Sequence, residues 1–358
     1  MRILTFTGTP RHIGEAFGEA SRDNIHELYR RRVDNAIAQA LKYGGQTVTE
    51  ADLLGVAARS LEPTRHYDPT SFTELEGLAA GADLPLVKLL AMNGLTDFRD
   101  VLSWPASADP AAIDTGGCTA ILAHRDATDG QVLCGQTWDL ATDNLPFVLG
   151  VVRRPTDLPA TVTLTTDGCL SLIGLNEHGL AVGTTNIRTT DARPGVNYLS
   201  IIHKALAQTS FDAAVATIVD APRAGAHYYY VADAHGRATT LECSARHAHR
   251  LDLTSGVAVH ANHCLLPANR AIEGTPPNAS SLHRQARLER LATARPITAG
   301  LMQSFFADTD GQNNAICRDD FDGLNTNGAV VMAPERREIH LVHGVPSKNP
   351  WHTLHVTA

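Results

Sequence analysis

The pentapeptide Gly116-Gly117-Cys118-Thr119-Ala120 runs a stretch of small residues straight into a cysteine, and that cysteine opens the first strand-like segment of a β-rich region. If the peptide bond before Cys118 is cut, one residue carries both a thiol and a free α-amine, so nucleophile and base arrive adjacent and no separate histidine is required. The chemistry is suited to neutral pH, because an α-amine titrates at about 7.7–8.0 and a thiol at about 8.5. Gly117 suits the cut, since a residue without Cβ tolerates the backbone distortion that attack by the neighbouring side chain demands. These residues alone are equally compatible with a buried strand thiol, the commonest fate of an intracellular cysteine.

Other constellations compete. Cys118 could pair with a distant His260 or His263 oriented by Asn262, a papain-like arrangement, although the sequence around the cysteine lacks that family's local signature. His260, His263 and Cys264 could be offered to a metal, but H-x-x-H-C on a strand turns alternate residues to opposite faces and supplies no further ligand, so no metal is expected. Cys169 follows Gly168 but has no linker before it. The six cysteines are dispersed without a C-x-x-C pair, which argues against a zinc framework or a redox motif.

The elements that must position these residues change character at the cysteine. Up to about residue 100 the pattern is helical: Ile13 and Phe17, then Ile25, Leu28, Tyr29, Val33, Ile37 and Leu41 recur at three-to-four spacing until Gly44-Gly45. A second helix follows Thr49, with Asp52 three residues on, and two more cover about 72–80 and 85–93. The Pro-, Ala-, Ser- and Gly-rich stretch from Ser103 to Gly117 reads as an exposed loop. From Cys118 the chain reads as a hairpin about Thr128-Asp129-Gly130, then as strands through ATVTLTT, GLAVGTT, HYYYVADA, RATTLECSA, HRLDLT, GVAVHAN, AVVMAP and EIHLVHG. Helices are predicted at about 197–208, 211–219, 280–293 and 299–307. Strands and helices in blocks indicate a layered α+β fold with two sheets between helical layers.

A net charge of -8 with no basic stripe argues against nucleic-acid binding, and Arg30, Arg31 and Arg32 read as the solvated face of a helix. The N-terminal MRILTFTGTP, broken by Gly8 and Pro10, lacks a secretory apolar core, and no stretch reaches membrane-spanning length, so a cytoplasmic location and no membrane partner are expected.

The stretch GGCTAILAHRDATDGQVLCGQTWDL resembles the start of the mature chain in the acyl-coenzyme A:6-aminopenicillanic-acid acyltransferase family of cysteine N-terminal-nucleophile hydrolases, relatives of bile-salt hydrolases and acid ceramidase. The likeness extends to G-Q-x-W-D at Gly135 to Asp139, GLNEHGLAV before Asn186, HANHC around Asn262, SSLHRQARLERL around Arg284, PERREIHLVHGVPSKNP, and the N-terminal IGEAFGEASRDNI and FTELEGLAAGADL. It implies a four-layer αββα sandwich and self-cleavage between Gly117 and Cys118. Residues 1–117 would form a helical propeptide or α-subunit and 118–358 the catalytic β-subunit, the two staying together as a heterodimer that could assemble further into homo-oligomers. It also implies roles: Cys118 as nucleophile, Asp139 holding the new α-amine, Asn262 donating to the oxyanion and, from the more distant bile-salt hydrolases, Asn186 as a second oxyanion asparagine. The expected substrate is a small N-acyl amide or acyl thioester. No cofactor is required, although coenzyme A could enter as acyl donor.

Three departures redirect the substrate. Gln136 stands where bile-salt hydrolases carry an Arg beside the nucleophile, and a neutral amide offers no bidentate carboxylate partner. Thr326-Asn327 replaces the Ser-Arg pair of the fungal penicillin acyltransferases, and the terminal HVTA lacks their peroxisomal tripeptide. Another amide is expected in place of penicillins and bile salts. The alternative classes are a papain-like hydrolase without self-cleavage and a non-catalytic binding protein on the same fold.

Overall fold

The structure is a computed structural model that describes residues 1–103, 117–274, 276–320 and 323–357. The chain starts with strand β1 (Ile3–Gly8) and continues through six helices: α1 (Pro10–Ala20), α2 (Arg22–Gly44), α3 (Glu50–Tyr67), α4 (Pro69–Ala82), α5 (Leu86–Asn93) and α6 (Leu95–Leu102). Strand β1 and helix α6 are not foreseen by the helical pattern. The cap after residue 48 is as read: the Thr49 hydroxyl accepts from the Asp52 N–H while the Asp52 carboxylate accepts from the Thr49 N–H. The loop predicted from Ser103 to Gly117 lies outside the described residues except at its two ends.

Strands β2 (Thr119–Ala123) and β3 (Leu133–Ala141) form the expected hairpin, followed by β4 (Val148–Pro155), β5 (Thr161–Thr166), β6 (Ile173–Asn176) and β7 (Ala181–Asn186). Helices α7 (Tyr198–Leu206) and α8 (Phe211–Val219) precede β8 (His227–Ala232), β9 (Ala238–Cys243), β10 (Ala248–Asp252) and β11 (Val257–His260). Helices α9 (Pro267–Arg270), α10 (Ala279–Leu291) and α11 (Ala299–Phe306) then lead to β12 (Leu324–Ala333), β13 (Glu338–His343) and β14 (Trp351–His355).

Two sheets result, ordered β1-β4-β5-β6-β7-β8-β9-β10 and β11-β2-β3-β12-β13-β14. Because successive strand residues face opposite sides, each strand divides its apolar residues between two cores. In β8, Tyr228 and Tyr230 point to the inter-sheet core, whereas Tyr229 and Val231 pack under α7 and α8. In β2, Ala120 and Leu122 face the inter-sheet core, whereas Ile121 and Ala123 pack under α10 and α11. Helix, sheet, sheet, helix is the αββα sandwich of the α+β reading. Gln136 clasps the sheets together: from β3 it accepts the Thr184 N–H at 2.8 Å and donates to the Thr184 carbonyl at 2.6 Å. The Gln136 side chain is not among those that line the cavity at Cys118.

The N-terminal segment is built into this body. Strand β1 pairs in parallel with β4 at the edge of the larger sheet. Helices α1 and α4 touch backbone to backbone, since a Cβ on Gly14 would lie 2.1 Å from the Glu74 carbonyl oxygen and one on Gly81 2.1 Å from that of Glu15. Both helices carry glycines four apart (Gly14 and Gly18, Gly77 and Gly81), which explains the small residues of IGEAFGEA and LEGLAAGA.

Glu74 of α4 is fully sealed and paired with Arg153 of β4 at 2.8 Å and with His203 of α7 at 3.2 Å. Burial alone would raise its pKa, but the charges of Arg153 and His203 outweigh burial and hold it at about 2, against 4.5 for a free glutamate. A depressed carboxyl pKa stabilises the fold above the unfolded-state value, and that contribution is lost as pH falls through the folded one. Acid unfolding is therefore expected to develop between about pH 4.5 and about pH 2. Glu74→Gln should remove about 3 kcal/mol at neutral pH, measured by urea unfolding, and flatten this acid limb.

Candidate active site

Cys118 lies immediately before β2, on the floor of a cavity of about 890 Å³ including its open mouth, a volume suited to a small organic ligand. All four residues singled out in the sequence line this cavity: Cys118, Asp139, Asn186 and Asn262. They come from four places. Asp139 is near the end of β3, Asn186 ends β7 in the opposite sheet, and Asn262 follows β11.

The thiol is buried, and its pKa is pushed up to about 12, first by burial and then by the negative charge of Asp139; the charge of Arg284 and the backbone N–H groups of Asp139 and Asn186 pull the other way. The intact chain thus holds Cys118 as a thiol at neutral pH. The Asp139 carboxylate accepts from the Thr326 hydroxyl at 2.8 Å and lies 3.7 Å from the Arg318 guanidinium. A bulge in β12 creates the Thr326 contact: pairing with β3 slips between Thr326 and Gly328, which leaves Thr326 opposite Asp139 and folds Asn327 back onto the Leu140 carbonyl at 3.0 Å. The Thr-Asn departure in the sequence therefore has a structural use at the carboxylate.

Asn262 is held on three sides. Its backbone N–H donates to Ser281 at 2.8 Å, its Oδ1 accepts from Arg284 Nη2 at 2.8 Å, and its Nδ2 donates to the Asn186 carbonyl at 2.8 Å. An amide nitrogen has two hydrogens, and the Asn186 carbonyl takes one. Gly117 has to be glycine for reasons of space: a Cβ there would sit 2.2 Å from Arg284 Nη2 and 2.5 Å from Asn262 Oδ1.

The rival nucleophile and bases lie elsewhere. His260 is sealed between Thr185, at 2.7 Å, and the ring of Tyr228, stacked at 3.9 Å. His263 bonds Ser281 at 2.8 Å and is held down to about 4, mainly by burial. Cys169 accepts from Arg32 at 3.0 Å. None of the three lines the cavity. The histidine that does is His227, whose Nε2 meets Asp97 of α6 at 2.8 Å, so the N-terminal segment supplies part of the cavity wall.

Three residues here escaped prediction as site members: Arg284, Arg318 and Thr326. Arg284 had a signal, since it shares the buried face of α10 with Ser281, Gln285 and Leu288, where a cation requires partners. Arg318 stands in an irregular stretch whose local sequence says nothing of Asp139.

Comparison with known proteins places the chain in a family. The family described as acyl-coenzyme A:6-aminopenicillanic acid acyl-transferase matches residues 127–347, beginning nine residues after Cys118. The chain belongs to that family. A relative from Emericella nidulans, the 40 kDa form of acyl-coenzyme A:6-aminopenicillanic-acid-acyltransferase, is 27% identical over 321 residues, 89% of this chain and 85% of its own. Solved structures similar to this chain include conjugated bile acid hydrolase from Clostridium perfringens (11% identity, TM-score 0.44, covering 67% of this chain and 97% of that one). Penicillin V acylase from Agrobacterium tumefaciens is another, at 12% identity and a TM-score of 0.37, covering 63% and 82% of the two chains. As a member of the acyl-transferase family the chain is an enzyme of acyl transfer. Among the described residues no helix is long and apolar enough to cross a membrane.

Thr326→Val keeps the shape but removes the hydroxyl donor from a buried carboxylate. It should cost about 1–3 kcal/mol in urea unfolding, and Thr326→Ser should recover most of the loss.

Proposed function

We propose that this chain is a self-processing cysteine amidohydrolase or acyltransferase, cut between Gly117 and Cys118, that acts on a small N-acyl amide or acyl thioester. The observation that carries this reading is the position of Cys118: it follows a glycine packed against Arg284 and Asn262, immediately precedes a strand at the floor of the cavity, and bonds no histidine among the described residues.

In the first event the Cys118 sulfur attacks the Gly117 carbonyl carbon. The C–N bond to Cys118 breaks, its nitrogen takes a proton to become an α-amine, and a Gly117–Cys118 thioester forms. Water hydrolyses that thioester, returning the thiol and leaving Gly117 with a carboxylate. In turnover the Cys118 sulfur attacks a substrate carbonyl while the α-amine receives its proton. The second Asn262 amide hydrogen and a backbone N–H stabilise the oxyanion, and the α-amine then protonates the leaving amine. Asp139 holds the α-amine by a charge-assisted hydrogen bond, and Asn186 borders the same oxyanion region through its place beside Cys118 and Asn262. Water resolves the acyl-enzyme in hydrolysis; a second amine resolves it in transfer.

Residues 1–117 remain bound as an α-chain and 118–358 form the catalytic β-chain. Strand β1, the glycine contact of α1 with α4, and the Glu74–Arg153 pair support this. The substrate is a small amide other than penicillins or bile salts, and the enzyme works in the cytoplasm.

Intact mass under denaturing conditions tests the reading. The wild type should give two chains that co-purify, the second beginning at Cys118, whereas Cys118→Ala should give one full-length, folded, inactive chain. An uncut wild type, or full activity in Cys118→Ala, would sink the proposal.

A further inference from the structure

Two arginines are the largest fully buried side chains among the described residues, and both converge on the site from outside the cavity floor. Arg284 Nη1 donates to the Cys118 carbonyl at 2.5 Å and to the Thr119 hydroxyl at 2.9 Å, Nη2 donates to Asn262 Oδ1 at 2.8 Å, and Nε donates to Ser280 at 3.2 Å. Arg318 Nη2 donates to the same Ser280 hydroxyl oxygen, while its Nε faces Asp139 at 3.7 Å. One serine thus joins the guanidinium that grips Cys118 and Asn262 to the guanidinium that faces Asp139.

We infer that Arg284 is the positioning residue of the reaction: it fixes which face of the Asn262 amide looks toward the reacting carbonyl and where the backbone of Cys118 lies, with Ser280 locking it to Arg318 and Asp139. The inference rests on the reading of Cys118 as nucleophile. Its physical basis is directional. A guanidinium only donates, so the amide edge that faces Arg284 is the oxygen, and the nitrogen is turned to the Asn186 carbonyl and the cavity. Released from that constraint, the amide can rotate and offer an acceptor to a developing negative charge. The Cys118 carbonyl contact fixes the nucleophile from the other side, where an error on the order of 1 Å costs about 100-fold in rate. Arg284 acts through the two residues that carry the reacting groups, bonding the Cys118 carbonyl and the Asn262 amide oxygen.

Self-cleavage provides an assay that needs no knowledge of the substrate, and p-nitrophenyl acetate provides an acyl group that can load Cys118 in the cut enzyme. The variants are Arg284→Lys, Ser280→Ala, Asn262→Ala and the double variant of Asn262→Ala with Arg284→Lys. Arg284→Lys, which retains charge but loses the planar fork, should slow self-cleavage and lower kcat on p-nitrophenyl acetate by about tenfold. KM and the thermal midpoint should hardly change. A folded variant that stays uncut is the stronger form of the same result. Ser280→Ala should show a smaller loss in the same direction, and it decides the matter if Arg284→Lys does not fold. In the double variant the Lys substitution should add little to the loss from Asn262→Ala. Wild-type rates in Ser280→Ala and in any folded Arg284→Lys, or losses that multiply in the double variant, overturn the positioning role. A wild type that is not cut, or that keeps activity in Cys118→Ala, removes the nucleophile reading and the positioning role together; with cleavage intact, only the latter falls.

Discussion

A sealed guanidinium cannot shed its proton, so it constrains every element around it to present an oxygen. Arg284 is such a group, and much of the site follows from its demands. Strand β2 must begin where the Cys118 carbonyl and the Thr119 hydroxyl reach it, the segment after β11 must bring Asn262 Oδ1, and α10 must place Ser280 one turn before the arginine itself. The residue before Cys118 must then lack a side chain, because that volume is occupied by the guanidinium and the Asn262 oxygen. The thiol's position is fixed by a charge that bonds the Cys118 carbonyl and the side chains of Thr119, Asn262 and Ser280. Arg318 makes a parallel demand at Asp139, answered by the bulge that sets Thr326 opposite the carboxylate.

The same logic explains why the first hundred residues are part of the working molecule. Glu74 reaches from α4 to a charge in β4, and Asp97 reaches from α6 to His227 in the cavity wall while its other oxygen accepts the Tyr198 N–H at 2.9 Å. Removing a partner from such a buried pair strands the other charge, at a cost of about 3–5 kcal/mol. Together with β1 in the larger sheet and helices that meet through glycines, these pairs make the N-terminal segment a wall of the cavity. A cut at Gly117 would therefore divide the chain without dividing the core.

Legibility in the sequence followed the range of the interaction involved. An unbroken run such as the three consecutive tyrosines of β8 announces a strand buried on both faces, and Thr49 with Asp52 announces a helix start, because each signal is contained in a few neighbours. Strand β1 escaped because only one of its six residues is buried and its partner is some 150 residues away, so its local pattern carries little periodicity. Cys118, Asp139, Asn186 and Asn262 were picked out by resemblance to a family, and their convergence in one cavity rests on sheet pairings that no single segment reveals. Gln136 was read from its place in the motif alone, and its clasp onto Thr184 of the opposite sheet could not be seen there, because that partner lies 48 positions along the chain. Arg318 finds Asp139 across 179 positions of chain, and nothing near it announces a carboxylate.

The high pKa of the Cys118 thiol fits the proposed order of events. In the intact chain the Cys118 nitrogen is an amide without basicity, and burial together with Asp139 keeps the sulfur protonated, at about 12. Backbone N–H groups from Asp139 and Asn186 already face the sulfur, so part of the stabilisation a thiolate needs is in place beforehand. Cleavage would convert the amide nitrogen into an amine that ordinarily titrates at about 7.7–8.0, on the same residue as the sulfur and within the field of Asp139. The carboxylate that opposes a second negative charge would then favour a positive one, and a proton moving from sulfur to nitrogen would satisfy both. One broken bond would thus reverse the effect of Asp139: it suppresses the thiolate in the uncut chain and would support a thiolate–ammonium pair in a cut one.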